Sequence, residues 1–479
     1  MNYQMIVYIL GFILRFEAGF LCLPAIVGAI YGEGDALVYV AVAAGSFLVG
    51  FLMSHRKLTN KNLYAREGFV SVALGWIVLS AVGAVPFVVT GDIPSYVDAL
   101  FETISGFTTT GASILNNVEG LSRANLFWRS FTHWIGGMGV FVFVMAIMPL
   151  LGSPNMNLMK AESPGPSVDR LVPKVKDTAK ILYAIYIGIT IVEAVLLVIF
   201  GLKVDDSLML TFGTVGTGGF GVKNDGLASY SPAIQYTITI FMILSGVNYS
   251  AYFLILRKKF KQAFKLEEVR VYLAIIAVAT IAIFINTRDM FSTSEETFRH
   301  VFFHVGSLMT STGFSISDFN LWPVFSKMLL ILLMFIGACA GSTGGGIKVS
   351  RIIIAFKSLG KELKMLIHPR SVRKVTLDGK AVTHEVVRST KSFIVLYFVL
   401  MGASILLISV DGFSMTTNSS AVISMLGNMG PGLEAVGPTA NYAAYSIFSK
   451  FVLMFDMLAG RLELFPILLL FYYKSWKKN

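Results

Sequence analysis

Four short breaks interrupt the long apolar runs of this chain, and each is built from small polar residues and glycine. They are Thr108-Thr109-Thr110-Gly111, Val215-Gly216-Thr217-Gly218-Gly219, Thr310-Ser311-Thr312-Gly313 and Leu426-Gly427-Asn428-Met429-Gly430. The glycines Gly111, Gly218, Gly313 and Gly430 recur about every 100 residues, the spacing of an internal repeat. Irregular backbone survives at membrane depth only where it is buried in protein or lines a watery cavity, because hydrocarbon satisfies no N–H or C=O group. Four such breaks in one chain can surround one axis and offer rings of carbonyl oxygens to a dehydrated cation. On that reading the expected cation is K⁺.

Composition supports a membrane setting. Of 479 residues, 55% are hydrophobic and 14% charged, where a soluble chain carries about 25% charged residues. The net charge of +11 would suit nucleic acid, but the basic residues fall in alternate loops, as a positive-inside topology requires. Apolar runs of about 20 residues predict two leading spans, 5–31 and 36–54, followed by four units. Each unit is a span, a half-helix, a break and a second span. The paired spans are 69–89 with 127–151, 181–202 with 234–256, 271–285 with 322–356, and 392–410 with 445–473. That makes about ten crossings and four re-entrant half-helices. The expected segments are 1–60 for the leading pair, then 61–165, 166–262 and 263–360 for three units, and 361–479 for the fourth unit with a tail.

One side of this topology carries Arg56, Lys57, Lys61, Arg66, Lys160, Arg170, Lys174, Lys176, Lys180, Arg257, Lys258, Lys259, Lys261 and Lys265. The basic segment 357–388 and the tail lysines Lys474, Lys477 and Lys478 join them. The opposite side carries Asp92, Asp98, Glu102, Glu119, Asp205, Asp206, Asp225, Asp289, Glu295, Glu296, Asp318, Asp411 and Glu434. Two readings of that acidic side stay open: a by-product of keeping Lys and Arg on the other face, or a vestibule that concentrates cations. The first span lacks a charged n-region and a small-residue cleavage site, so it is expected to be a span and not a signal peptide. Cys22 and Cys339 both fall in apolar spans, which argues against a disulfide framework. The loops 152–180, with Ser163-Pro164-Gly165-Pro166, and 360–388 are too short to be soluble domains.

The half-helices are expected to end at the breaks, bringing their partial negative charge of about half an electron to the axis. Glycine permits the positive φ that turns successive carbonyls inward. Hydroxyls can back the loop or add an oxygen ligand. The expected filter comprises Thr109, Thr110, Gly111, Gly216, Thr217, Gly218, Ser311, Thr312, Gly313, Asn428, Met429 and Gly430. K⁺ is expected at Thr109, Thr110, Thr217, Gly218, Ser311, Thr312, Asn428 and Met429, with no bound cofactor.

These motifs resemble those of the TrkH/KtrB superfamily of K⁺ transporters. The run Phe101-Glu102-Thr103-Ile104-Ser105-Gly106-Phe107-Thr108-Thr109-Thr110-Gly111-Ala112 is similar to its first pore loop. Thr217-Gly218-Gly219-Phe220, Ser311-Thr312-Gly313-Phe314 and Gly427-Asn428-Met429-Gly430-Pro431-Gly432-Leu433 are similar to the other three. Trp134-Ile135-Gly136-Gly137-Met138-Gly139, Gly341-Ser342-Thr343-Gly344-Gly345-Gly346-Ile347-Lys348 and Gly460-Arg461-Leu462-Glu463 extend the resemblance over almost the whole chain. The two leading spans resemble the TrkH branch. Gly216 stands where Ser is usual, Gly221 where Ser or Thr is usual, and Met429 where Val is usual, which implies a looser filter. The resemblance implies an all-α polytopic fold with four M1–half-helix–M2 repeats in pseudo-fourfold array. It also implies a homodimer and a separate cytosolic TrkA-like ring of nucleotide-binding subunits docked on the basic inner face of a bacterial cell membrane.

Weaker motifs give way to context. Gly216 to Gly221 matches Gly-x-Gly-x-x-Gly, but no strand precedes it and no helix opens on it as a dinucleotide fold demands. Gly341 to Lys348 is not a P-loop, because Ile347 separates Gly346 from Lys348. Gly337, Gly341, Gly344, Gly345 and Gly346 are too many glycines for a helix, at about 1 kcal/mol each. They predict a broken span and a gating loop, with Lys348 paired to an acidic residue. Arg461 either pairs with Glu463 or Asp456 or faces the pore as a barrier, and the resemblance favours the pore. His133 has no second ligand at i+4 and reads as a packed core residue. Arg15 and Glu17 are expected to pair with other helices. No nucleophile, metal cluster or acid/base pair appears, so the chain reads as a non-enzyme that binds membrane and no nucleic acid. The rivals are a secondary transporter with inverted repeats and the membrane subunit of an ATP-driven pump.

Overall fold

The computed structural model of the chain describes residues 1–55, 64–151, 175–369 and 373–476, with backbone alone at 65, 138, 140–151 and 175–179. Among the expected basic residues, Arg56, Lys57, Lys61, Lys160, Arg170, Lys174, Lys477 and Lys478 lie outside the described residues, as do Ser163 to Pro166 and the side chain of Lys176.

The leading helices α1 (Tyr3–Tyr31) and α2 (Asp35–Ser54) form a close pair. Gly11 and Gly50 make this possible: a Cβ on Gly11 would sit 2.7 Å from the carbonyl of Gly50. Small residues at helix crossings are how apolar helices gain contact in lipid. The first unit follows with α3 (Ala65–Gly83), α4 (Val85–Thr90), the half-helix α5 (Tyr96–Phe107) and α6 (Arg123–Leu151). The second has α7 (Val175–Ile199), half-helix α8 (Val204–Val215), α9 (Pro232–Ser245) and α10 (Tyr249–Leu256), with α11 (Phe260–Lys265) as connector. The third has α12 (Glu267–Thr287), half-helix α13 (Ser294–Met309), α14 (Val324–Phe335) and α15 (Val349–Ile367). A hairpin, β1 (Thr376–Leu377) with β2 (Lys380–Ala381), leads to the fourth. That unit has α16 (His384–Ile408), half-helix α17 (Met415–Gly427), α18 (Ile447–Arg461) and α19 (Phe465–Phe471).

The four-unit plan holds, but three of the second spans are not continuous. Six described helices are long and apolar enough to cross a membrane, or seven if α9 and α10 count as one span bent by 93°. Instead of one helix over 234–256, Asn248 caps α10 by accepting from Ser250 N at 2.8 Å, so the chain turns at Gly246. The 322–356 span is α14 and α15 with an irregular segment at 336–348 between them. The 445–473 span breaks where Glu463 and Leu464 take φ of 55° and 67°. Freed backbone groups at membrane depth need partners, and the first two breaks satisfy each other. Cys339 N donates to Gly246 O at 3.0 Å and Tyr249 N to Gly341 O at 3.1 Å.

All four half-helices begin where a long helix has just ended, so they enter from one face. Ser95, Thr293 and Ser414 cap three of them, and Asp98, Asp205, Asp206, Glu295 and Glu296 stand in first turns, where a carboxylate suits the helix dipole. Much of the acidic side is therefore structural. Asp98 holds Lys450 at 2.6 Å, Arg123 holds Asp206 at 2.8 Å, and Asp92 and Asp411 accept the amides of Ser122 and Ser446. Among the described residues the expected ion pairs of Arg15 and Glu17 do not form: Arg15 lies over the rings of Phe12 and Phe47, and the Glu17 carboxylate, buried near Gly83, meets no hydrogen-bond partner there. Cys22 and Cys339 are free thiols.

Candidate functional site

Each half-helix ends in the same backbone motif. Thr109, Thr217, Ser311 and Asn428 donate their amides to carbonyls three residues back: Gly106, Thr214, Leu308 and Met425. The next amides, on Thr110, Gly218, Thr312 and Met429, reach five back to Ser105, Gly213, Ser307 and Ser424. That pair of bonds closes a helix through one left-handed residue, and Thr109, Thr217, Ser311 and Asn428 have φ of 55°, 55°, 58° and 51°. A β-branched residue is rarely found there, and the conformation costs about 1–2 kcal/mol. Two residues later comes a glycine at φ 78° to 92°: Gly111, Gly219, Gly313 and Gly430.

This places the second loop one residue away from its expected register. Gly219, and not Gly218, is the counterpart of Gly111. Gly218 stands with Thr110, Thr312 and Met429, while Gly216 ends its helix as Thr108 and Thr310 do. Three glycines within four residues gave two registers equal local merit, and the five-back bond to Gly213 selects one.

The loops form a closed ring. A Cβ on Gly111 would run into the carbonyl of Gly218, one on Gly219 into that of Thr312, one on Gly313 into that of Met429, and one on Gly430 would lie 2.8 Å from that of Thr110. Each glycine thus lets the next loop's carbonyl approach, in the order first, second, third, fourth, first. The symmetry of the side chains is lower. Thr108 and Thr110 share a hydroxyl hydrogen bond of 2.7 Å, as do Thr310 and Thr312, whereas glycine and methionine deny this to the second and fourth loops. Hydroxyls and amide mostly buttress the ring. Thr217 donates to Gly216 O at 2.7 Å, and Asn428 Nδ2 ties Thr110 Oγ1 at 3.1 Å to Met457 O at 2.8 Å.

His133 is a fully buried core residue, as expected, and it is also a staple between loops. Phe220 N donates to its Nε2 at 3.2 Å, so Nδ1 carries the proton and donates to Gly106 O at 2.9 Å. Beside it, Arg129 donates to Glu102 at 2.6 Å and to Gly221 O at 3.0 Å, and Glu102 accepts Ile114 N at 3.0 Å. First and second loops are thereby locked together by buried charge-assisted bonds, which are about twice as strong as neutral ones.

The 336–348 segment lies against the third and fourth loops. A Cβ on Gly344 would meet Thr310 O at 2.8 Å, and one on Gly345 would meet Asn428 Cβ at the same distance. Gly345 N donates to Ser311 Oγ. Gly341 and Gly346 have positive φ, whereas Gly337 leaves room for the Gly345 carbonyl. Lys348 is buried but does not make the expected ion pair among the described residues; it donates to the carbonyls of Gly344 and Gly345 inside the segment. Arg461 reaches the same place. It donates to Thr343 O at 2.8 Å, Thr109 Oγ1 at 3.1 Å and Gly136 O. Its expected structural partners are engaged elsewhere, Glu463 by Arg351 and Asp456 by Ser404.

Glu268 was not legible as part of this site. Its buried Oε1 accepts Ala340 N at 2.7 Å and Ser350 N at 3.0 Å, clamping the segment to α12. The available signal was weak: an acidic residue at the start of an apolar span, on the side where basic residues dominate.

The comparisons with known proteins agree with this architecture. The family described as TrkH, cation transport protein, matches residues 38–478. The Trk system potassium uptake proteins TrkH of Salmonella typhimurium and Escherichia coli K12 are 34% and 35% identical to the chain, each over the full length of both sequences. The crystal structure of the potassium transporter TrkH from Vibrio parahaemolyticus superposes with a TM-score of 0.89 at 31% identity, covering 100% of both chains. With four half-helix repeats closing one ring and a family match over nearly its whole length, this chain belongs to the TrkH family of cation transport proteins.

Proposed function

We propose that the chain takes up K⁺ across the bacterial inner membrane through a channel-like pore whose filter is the four-loop ring. The observation that carries this reading is the closure of the ring. Four glycines at equivalent positions each seat against the carbonyl of the next loop, a construction suited to rings of backbone oxygens replacing an ion's hydration shell. The filter carbonyls are assigned to Thr109, Thr110, Thr217, Gly218, Ser311, Thr312, Asn428 and Met429, with Gly111, Gly219, Gly313 and Gly430 shaping them. Hydroxyls committed to buttressing favour carbonyl coordination. The relatives named as potassium uptake proteins support K⁺ as the ion.

The segment 336–348 is the gate in this proposal. It seats beneath two loops and is pinned by Lys348, Glu268 and Arg461, so its removal would open the path. Arg461 adds a positive charge beside Thr109; two unit charges about 4 Å apart repel by roughly 4 kcal/mol at an effective dielectric near 20. The basic loops face the cytoplasm, where a TrkA-like nucleotide-binding ring docks on a homodimer. Liposomes containing only this protein test the reading: ⁸⁶Rb⁺ uptake that excess K⁺ suppresses, with ²²Na⁺ uptake much slower, is expected. No Rb⁺ flux, or equal entry of both ions, would overturn it.

A further inference from the structure

A second built site lies on the face opposite the half-helix N-termini. A cavity of about 630 Å³ opens between the end of α15, the β1–β2 hairpin and the start of α16. Lys361, Lys374, Arg388 and Lys391 line it together with His384. Glu362 is the one carboxylate among its lining residues, and it lies 3.4 Å from Lys391. Three cations are left over even with His384 neutral. The first turn of α16 adds the positive end of a 25-residue helix, although Thr383 already caps Val386 N and Glu385 stands in that turn, so the lining cations carry most of the attraction.

Its position in the fold says which anion. The helix that starts in the cavity runs on as an apolar span, so the cavity sits at the membrane surface. Along α15, beside the cavity, Phe356, Leu359, Leu363, Leu366 and Ile367 are each more than half exposed. They follow helical spacing, and Lys357, Lys361 and Lys364 fall on the opposite face of the same helix. An apolar face backed by a lysine face is the pattern of a helix lying in the interfacial plane, and basic pockets between spanning helices on that side take acidic headgroups. A free anion would use the cavity alone; a lipid uses the cavity and the row.

We propose that this cavity binds the phosphate headgroup of an anionic phospholipid, with its acyl chains along the exposed row of α15. The site is separate from the four-loop ring, and the proposal stands whatever the ring conducts.

Native mass spectrometry of the purified full-length protein, titrated with phosphatidylglycerol or phosphatidylcholine, tests it. The wild type should retain phosphatidylglycerol in preference to phosphatidylcholine. Lys374→Gln with Arg388→Gln should weaken phosphatidylglycerol binding about 25-fold, roughly fivefold for each cation removed. Glu362→Gln should strengthen it about fivefold, a gain that misfolding cannot produce. Leu359→Ser with Leu363→Ser should weaken lipid binding and spare the binding of inorganic phosphate. Equal retention of the two lipids, or no response to either charge change, would overturn the proposal. So would complete displacement of the lipid by millimolar inorganic phosphate, which would mark a site for solution anions. Loss of dimer mass in the leucine variant with phosphatidylglycerol retained would also overturn it, by making the row a contact between copies of the chain.

Discussion

Glu268 offers the sharpest test of the gating proposal, because one carboxylate oxygen holds two points of the 336–350 region at once. Ala340 N and Ser350 N both end on Oε1, at 2.7 Å and 3.0 Å. Glu268→Gln keeps the size of the side chain and an acceptor oxygen but removes the charge. A hydrogen bond to a charged group contributes about 1.5–3 kcal/mol, and a neutral one about 0.5–1.5. The substitution therefore costs about 1 kcal/mol per bond, or about 2 kcal/mol for the pair. Both bonds require the segment where it now lies, so its displaced position should gain roughly 30-fold in relative population. Basal ⁸⁶Rb⁺ uptake into liposomes should rise accordingly, with little change in melting temperature. Glu268→Ala goes further, since it leaves two buried amides unsatisfied at about 1–3 kcal/mol each, and should raise flux while lowering stability. A Gln variant that melts earlier yet takes up Rb⁺ at the wild-type rate would refute the reasoning. The carboxylate would then hold structure and not a gate.

The corrected register predicts that Gly219→Ala, at φ 82° and facing the Thr312 carbonyl, lowers the K⁺/Na⁺ flux ratio at least about tenfold. Gly221→Ala, with its nearest neighbours 3.7 Å from the new carbon, should leave the ratio unchanged; equal effects would undo the register. Arg461→Ala should increase uptake and weaken control although it strands the carbonyls of Thr343 and Gly136, whereas Arg461→Lys should keep much of the barrier; a lower melting temperature with no gain in flux would refute the barrier. His133→Phe fills the ring's space but strands Phe220 N and should cost about 1–3 kcal/mol in thermal stability. Finally, the Ser414 hydroxyl, helped by that of Thr417, holds the Glu434 carboxyl below its usual value of 4.5. A depressed folded pKa stabilises above the unfolded value, and that gain is lost as pH falls through the folded one. Wild type and Glu434→Gln should thus differ in melting temperature at neutral pH and converge in acid.

What local chemistry dictates was legible in the chain alone. Long apolar runs set the membrane class and the two leading helices, and glycine-bearing breaks inside those runs, three with Thr and the fourth with Asn428, marked four loops. The glycines of 337–346 announced a broken span in the same way. The second loop shows where that logic stops. Gly216, Gly218 and Gly219 are equally permissive in isolation, and only the bond to Gly213 and the packing against Thr312 choose between them. The bend at Gly246 likewise persists because a segment about 100 residues later supplies its missing backbone partners. Arg461, His133 and Glu268 meet their partners across separations of 27 to 352 residues. Such bonds leave no periodicity behind. The sequence determined which segments must be irregular at membrane depth; the tertiary structure decided which backbone groups satisfy them, since hydrogen bonds depend on distance in space and not on position along the chain.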